Sequence, residues 1–365
     1  MSLSDLGFRL LALQDPADNQ VLSPWSLAVA LAMAADGADG ETLDQMRTVL
    51  GLGDRDAAEV FAPHVARLAA SSDEGTRLRP AQQLVAQTGY PFDPAYLARV
   101  GTAYDAPVTH VDFAHDADAA RDVLNAWVDA ETEGRVPNLL PPDSLGPDTR
   151  LVLVNALAFT GVWSAPFDAR ETFETLFHAP EGDVRVPMMS RAGLLEHAEG
   201  SDVEMVRLRF GNWTYALTVW LPDDPGHLPT ADSYAALRAD LERGTRRLSL
   251  PRFSVRPDAT LQLREALSQL GMPKAFDAQT AEFPRMAQPE RAIDELFVEQ
   301  VYQRARVEVT EDGCEAAAGS AVSMRTRGGA PVRPPVTLVD RPFTFAIEEV
   351  ATGLVLFLGR VVDPS

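Results

Sequence analysis

Between Leu151 and Leu157 the chain reads Leu-Val-Leu-Val-Asn-Ala-Leu, with Asn155 as the one polar side chain. Successive side chains of a strand point to opposite faces, so a strand with one wet face would interleave polar residues. An unbroken apolar run instead marks a central strand covered on both sides. The fold must therefore supply a layer to each face of this segment. Upstream, the pattern is helical. Leu3, Leu6, Leu10 and Leu13 share one face, and Ser23-Pro24 opens a small-residue helix over 23–35 that is apolar nearly all round. Gly37 and Gly40 stop it, and Glu41 to Leu50 forms another short helix. Val123, Leu124, Trp127 and Val128 make an amphipathic helix over about 122–132, ended by Gly134. Downstream, residues 184–189, 204–210, 213–221, 247–254, 297–310, 336–347 and 353–361 alternate or are β-branched. Turns stand at Asp223-Asp224-Pro225-Gly226 and Ala351-Thr352-Gly353. Helices first and strands later, with few βαβ alternations, predict an α+β fold.

Nothing divides the 365 residues into halves. The 27 prolines and 24 glycines are spread along the chain, and no linker or fixed-period repeat interrupts it, so residues 1–365 read as one intertwined domain. A formal charge of −21 argues against a nucleic-acid partner, which needs a basic face to release counterions from phosphate. No apolar run approaches the roughly 18–20 residues of a membrane span, and the amino terminus lacks the positive residue of a signal peptide. A soluble protein follows, with its compartment left open. Cys314 is the only cysteine, which excludes an internal disulfide.

The residues do not assemble an enzyme. His64, His110, His115, His178, His197 and His227 show no metal-ligand spacing, and no G-x-S-x-G, G-x-G-x-x-G or Walker pattern occurs. No metal and no cofactor is expected.

Several ordered motifs are specific. Asn19-x-x-x-Ser23-Pro24-Trp25-Ser26 precedes Gly37-Ala38-Asp39-Gly40-Glu41-Thr42. Asn125-Ala126-Trp127-Val128 and Thr132-Glu133-Gly134-Arg135-Val136 lead to the 151–156 run, followed by Phe159-x-Gly161-x-Trp163-x-x-Pro166-Phe167. Val186-Pro187-Met188-Met189, Asp340-Arg341-Pro342-Phe343 and Thr352-Gly353-x-x-Leu356-Phe357-x-Gly359-Arg360-Val361 complete the series. Together they resemble the serpin family along nearly the whole chain. Arginine richness, with Lys274 the one lysine, hints at a thermophilic bacterial member.

The resemblance implies eight to nine helices around three β-sheets, a large central sheet and an exposed reactive-centre loop at about 311–335. Glu311-Asp312-Gly313-Cys314-Glu315-Ala316-Ala317-Ala318 resembles the hinge of such a loop, and its chemistry makes sense unaided. A segment that passes from solvent into a sheet needs side chains that are cheap to bury, and no proline from Glu311 through Gly329 removes a ladder donor. Loop insertion in serpins is an established case of strand addition. About fifteen inserted residues at roughly 3.3 Å each would carry an attached protease about 50 Å. New ladder bonds at about 0.5–1.5 kcal/mol each would contribute on the order of 10 kcal/mol before ordering entropy.

The function implied is irreversible, suicide-type inhibition of a serine protease by a monomer. A non-inhibitory carrier, chaperone or storage role on the same scaffold is the alternative. The family's spacing from the hinge glycine places the reactive bond at Arg327–Gly328, which suits a trypsin-like target; Met324, Arg325 and Thr326 are alternatives, Met324 suiting a chymotrypsin-, elastase- or subtilisin-like enzyme. Counting back from Pro342 lands about four residues later. Ser23, Ser26 and Asn155 match the family's shutter, where Gln303 stands at a position usually held by histidine. Trp163, Arg252 and Glu311 match its breach, with Arg252 and Glu311 expected as an ion pair. Cys314 replaces a small hydroxyl residue common at the hinge.

Overall fold

Among the residues that the computed structural model describes (5–71, 75–211, 213–257, 259–287, 296–314 and 334–365), the chain forms eight α-helices and seventeen strands. The helices are α1 (Asp5–Leu11), α2 (Pro24–Gly37), α3 (Gly40–Leu50), α4 (Ala57–Ala69), α5 (Pro94–Ala103), α6 (Phe113–Glu131), α7 (Ala231–Ala239) and α8 (Arg264–Gln269). The early strands are β1 (Gln20–Leu22), β2 (Thr76–Gln87), β3 (Val108–Val111) and β4 (Leu151–Val162). The middle set is β5 (Phe173–Ala179), β6 (Gly182–Glu199), β7 (Val203–Arg209), β8 (Tyr215–Pro222), β9 (Glu242–Pro251), β10 (Phe253–Val255) and β11 (Leu261–Gln262). The last are β12 (Tyr302–Gln303), β13 (Val307–Val309), β14 (Gly313–Cys314), β15 (Val336–Leu338), β16 (Phe343–Glu349) and β17 (Val355–Val361). They pair into three sheets, as the resemblance implies. One runs β1-β17-β16-β8-β7-β6-β9-β15 with β5 added on β6, one runs β10-β13-β14-β4-β2-β3, and β11 pairs with β12. None of the described helices is long and apolar enough to cross a membrane.

The apolar run lies within β4 and serves two cores at once. Leu157 and Phe159 join the main cluster, whereas Val154 and Ala156 meet Phe113, Leu124 and Val128 of α6 on the opposite face. Beneath the sheet lies α2, whose residues are all buried except Ala30. Ser23 caps α2 by accepting from the Ser26 N–H at 3.4 Å, and Pro24 fills the first turn where a missing donor costs nothing. β4 is antiparallel to β2 from Thr76–Gly161 to Ala86–Leu151.

Two expected strands are redrawn. Residues 297–310 alternate like one strand but form only β12 and β13, each where a partner stands beside it: β11 for the first, β10 and β14 for the second. Residues 336–347 break at Asp340-Arg341-Pro342, because β15 lies parallel to β9 while β16 moves inward between β8 and β17.

The nine-stranded sheet is held by a buried carboxylate that sequence reading passed over. Glu348 on β16 is fully buried and accepts from Arg207 Nη2 at 2.5 Å, Thr218 Oγ1 at 2.9 Å, Arg238 Nε at 3.1 Å and Tyr234 Oη at 3.2 Å. These bonds tie β7, β8, β16 and α7 to one point. Removing a single partner of such a set strands the others without water, which typically costs about 3–5 kcal/mol. Glu348→Ala should therefore lower the urea midpoint of the intact protein by a corresponding amount and Glu348→Gln by less; equal midpoints for all three proteins would show that the network contributes nothing.

Candidate functional site

The chain leaves β13 at Val309, turns through Thr310-Glu311-Asp312 and returns as β14 between β13 and β4. Cys314 pairs with Val309 on one side and Gly161 on the other, and Gly313 pairs with Val162. The turn is closed by the Thr310 N–H donating to the Gly313 carbonyl at 2.9 Å. A Cβ on Gly313 would stand 2.0 Å from the Gly161 carbonyl oxygen, so only glycine lets the two backbones meet here. Cys314 is buried at this junction.

Residues from four directions clamp the turn. Trp163 Nε1 donates to the Thr310 carbonyl at 2.9 Å, and its ring stacks on Phe210 at 4.4 Å between centroids. Backbone donors from Trp163 and Phe167 reach the carbonyls of Asp312 at 2.9 Å and Glu311 at 3.0 Å. Arg252 binds the Glu311 carboxylate with Nη2 at 2.6 Å and Nε at 3.2 Å, a two-pronged geometry, and Thr172 Oγ1 donates to it at 2.7 Å. Burial pushes the Glu311 carboxyl up, but the bonds from Arg252 and Thr172 outweigh it and hold the group below its ordinary value. The three residues named for the breach, Trp163, Arg252 and Glu311, are thus brought together.

Farther down β4 the four residues expected for the shutter, Ser23, Ser26, Asn155 and Gln303, gather at the start of α2. Ser26 Oγ donates to Asn155 Oδ1 at 2.5 Å, and Ser23 Oγ donates to the Leu356 carbonyl at 2.8 Å. Gln303 grips the Ser23 backbone twice: its Oε1 accepts from the N–H at 3.2 Å and its Nε2 donates to the carbonyl at 2.8 Å. An amide offers a donor and an acceptor together, which a single histidine tautomer also does, but without a proton to gain near neutral pH.

Below β14 the neighbouring edges of β4 and β13 do not meet. Pairing along that edge of β4 is confined to Gly161 and Val162 among the described residues. Between the lower half of β4 and residues 296–303 lies a cavity of about 750 Å³. Among the described residues, the arrangement is a strand position begun at the top by two residues, with the cavity beneath them.

Glu315, Ala316, Ala317, Ala318, Met324, Arg325, Thr326, Arg327 and Gly328 lie outside the described residues. The chain is next described at Pro334, just before β15. Sequence reading also missed contributors. Thr172 precedes β5 with no pattern that singles it out, and Phe167 and Thr310 contribute through backbone groups, for which side-chain identity carries no signal. No group of three or more His, Cys, Asp or Glu able to hold a metal occurs among the described residues.

Residues 2–364 match the family model described as serpin, serine protease inhibitor. A serpin-like protein of Thermococcus kodakarensis is 34% identical over 360 residues, covering 95% of this chain and 81% of the relative. Serpin-Z1C of Triticum aestivum is 32% identical over 364 residues, covering 95% and 90% of the two chains. Among solved structures, the native state of the thermophilic serpin tengpin superposes with a TM-score of 0.87 at 26% identity, covering 99% of this chain and 93% of that one. With the family model matching almost end to end and the three-sheet arrangement shared with solved members, the chain belongs to the serpin family.

Proposed function

We propose that this serpin is a single-use inhibitor of serine proteases, in which the chain beyond Cys314 enters the open strand position between β4 and β13 after a protease cuts it. The observation that carries the reading is β14. Its two residues already occupy the top of that position, and among the described residues nothing pairs with the edge below them along β4 from Leu151 to Thr160. The sequence that follows, Glu315 through Ser320, is made almost wholly of Ala, Gly and Ser, which slide between packed layers at little steric cost.

The chemistry belongs to the target. Its serine oxygen attacks the carbonyl carbon of the reactive residue, its histidine passes the serine proton to the departing amine, and an acyl ester joins the two proteins. Arg327–Gly328 is the bond proposed, with Met324, Arg325 and Thr326 as alternatives. Insertion then drags the ester away from where it formed. Separating the serine from its histidine and from the oxyanion donors removes the machinery for deacylation, so the complex persists. The inhibitor acts as a monomer, one molecule per protease.

Incubation with trypsin should yield a covalent adduct on denaturing gels, with a new amino terminus at Gly328 by mass spectrometry, and the nicked protein should melt well above the intact one. Cleavage without adduct and without a rise in melting temperature would favour a carrier or storage role instead. Ala316→Arg places a long charged side chain where the hinge must pass, so it should be cut at an unchanged rate while adduct falls at least about tenfold.

Cys314 reports the clamp, since it is the one thiol and is buried only while β14 is in the sheet. Its reaction with 4,4′-dithiodipyridine should be slow at pH 7 and faster in Glu311→Gln and Arg252→Ala. In the unchanged protein the rate, divided by that of a small reference thiol at the same pH to remove the falling thiolate fraction, should rise with acidity. The folded carboxyl lies below its ordinary value of 4.5, so the tie is complete above that value and is lost as pH falls through the lower, folded one. Thiol rates that ignore both substitutions would rule out Glu311 and Arg252 as the latch.

A further inference from the structure

We infer that the cavity between β4 and residues 296–303 is a binding site for a neutral acyl compound, a long apolar chain ending in an amide or ester carbonyl. At about 750 Å³ it falls within the range of small-molecule pockets. Leu27 and Leu31 of α2 line it from the main core, Leu139 and Leu140 from the second core, and Leu153 and Val301 flank it. It follows β4 from Leu151 to Asn155, about 13 Å at roughly 3.3 Å per residue, so the matching ligand is elongated.

The polar end is set by Asn155. Its side chain is buried, and its Oδ1 is taken by Ser26, but its Nδ2 has no partner among the described residues. Buried amide donors are seldom left unmade, which marks the place for an acceptor from outside the chain. A carboxylate would not serve. Arg150 also lines the cavity, but it borders the Leu151 end and its Nη1 is engaged by the carbonyls of Pro147 and Thr149, so a charge at Asn155 would be buried without a counter-ion. Ser144 Oγ, in the loop that leads into β4, is likewise buried without a partner and offers the ligand a second polar contact.

The site stands on this geometry, whereas its consequence rests on the function proposed above: an occupant fills space that the nicked loop needs and would hold the inhibitor in its unreacted form. The probe is decanamide, titrated calorimetrically into the intact, full-length protein. One molecule per chain should bind saturably and raise the melting temperature, as any ligand selective for the folded state does. Ala30→Phe, which adds a ring from the cavity wall, and Leu145→Trp, from the loop, should each abolish binding while keeping the circular-dichroism spectrum of the parent. Asn155→Asp keeps the oxygen that Ser26 uses and exchanges the free donor for an acceptor, so affinity should drop at least about tenfold. No saturable binding, or equal binding in both cavity-filling variants, overturns the site; unchanged affinity in Asn155→Asp overturns the assignment of the acceptor. The nicked protein separates the two claims. If intact protein binds decanamide and nicked protein binds it equally, the ligand site holds and loop insertion fails, whereas a nicked protein that gains stability alongside an intact one that binds nothing gives the reverse.

Discussion

A strand carries hydrogen-bonding groups on both of its edges, and among the described residues β4 has one edge laddered by β2 from Leu151 to Gly161 and the other laddered only at Gly161 and Val162. Everything distinctive about this chain follows from that asymmetry. A layer on each face keeps β4 apolar. Under the proposed function, the two sides of the gap would gain by receiving another strand, and the fold would hold this sheet short of its best pairing by kinetics alone. The clamp at Thr310–Asp312 and the polar ties to α2 are the contacts placed to do so. On that reading, the first sits where an entering strand would begin, and the second lies beneath the strands that would part.

The polar cluster at the start of α2 is built from fixed dipoles. Ser23, Ser26, Asn155 and Gln303 exchange hydrogen bonds with backbone and with one another, and none of them changes charge between pH 5 and 8. The ionic element is confined to the breach, where Arg252 is half-exposed and Glu311 is buried. Acid therefore acts at the top of the sheet, on the turn itself, and leaves the lower ties intact. A pair with one exposed member contributes modestly to global stability. Under the proposed function its leverage is local, because the turn it fastens stands where insertion would start.

Much of this was legible in the sequence, for identifiable reasons. The 151–157 run announced a two-sided strand because burial on both faces abolishes alternation, whereas the hinge expected over Glu315 to Ala318 lies outside the described residues. β2 was invisible. It carries Pro80 and the polar pair Gln82-Gln83, which argue against a central strand, yet Pro80 faces only β4 because β3 reaches no farther than Leu84 to Gln87. Helices α4 and α5 escaped notice because Pro63 interrupts one and Pro94 opens the other, where proline reads as a loop signal. The expected strand over 297–310 failed for the opposite reason. Its residues suit a strand, but strands need partners, and across from 296–301 there is a cavity. Residue pattern records what a segment would accept, whereas only topology decides whether a neighbour is supplied.

Under the proposed function, the two anchors of the segment between Cys314 and Pro334 explain why a cut would be needed at all. One anchor, Cys314, sits in the six-stranded sheet; the other, Pro334, leads into β15, which lies parallel to β9 in the nine-stranded sheet through Val336, Thr337 and Leu338. With the chain intact, a strand growing downward from Cys314 draws on a fixed length and must eventually pull β15 from β9. That edge has support beyond its ladder: Arg246 Nη1 donates to Thr337 Oγ1 at 3.1 Å, and Thr337 Oγ1 donates to Glu204 at 3.0 Å. The nine-stranded sheet, fastened at Glu348, is thus the fixed frame against which the open sheet is held. Cleavage between the anchors removes the opposition in one step, since the segment on the Cys314 side no longer ends at β15. Under the proposed function, the barrier in the uncut protein is then set jointly by the breach clamp and by this three-residue strand, and a protease that severs their connection leaves only the clamp to be overcome.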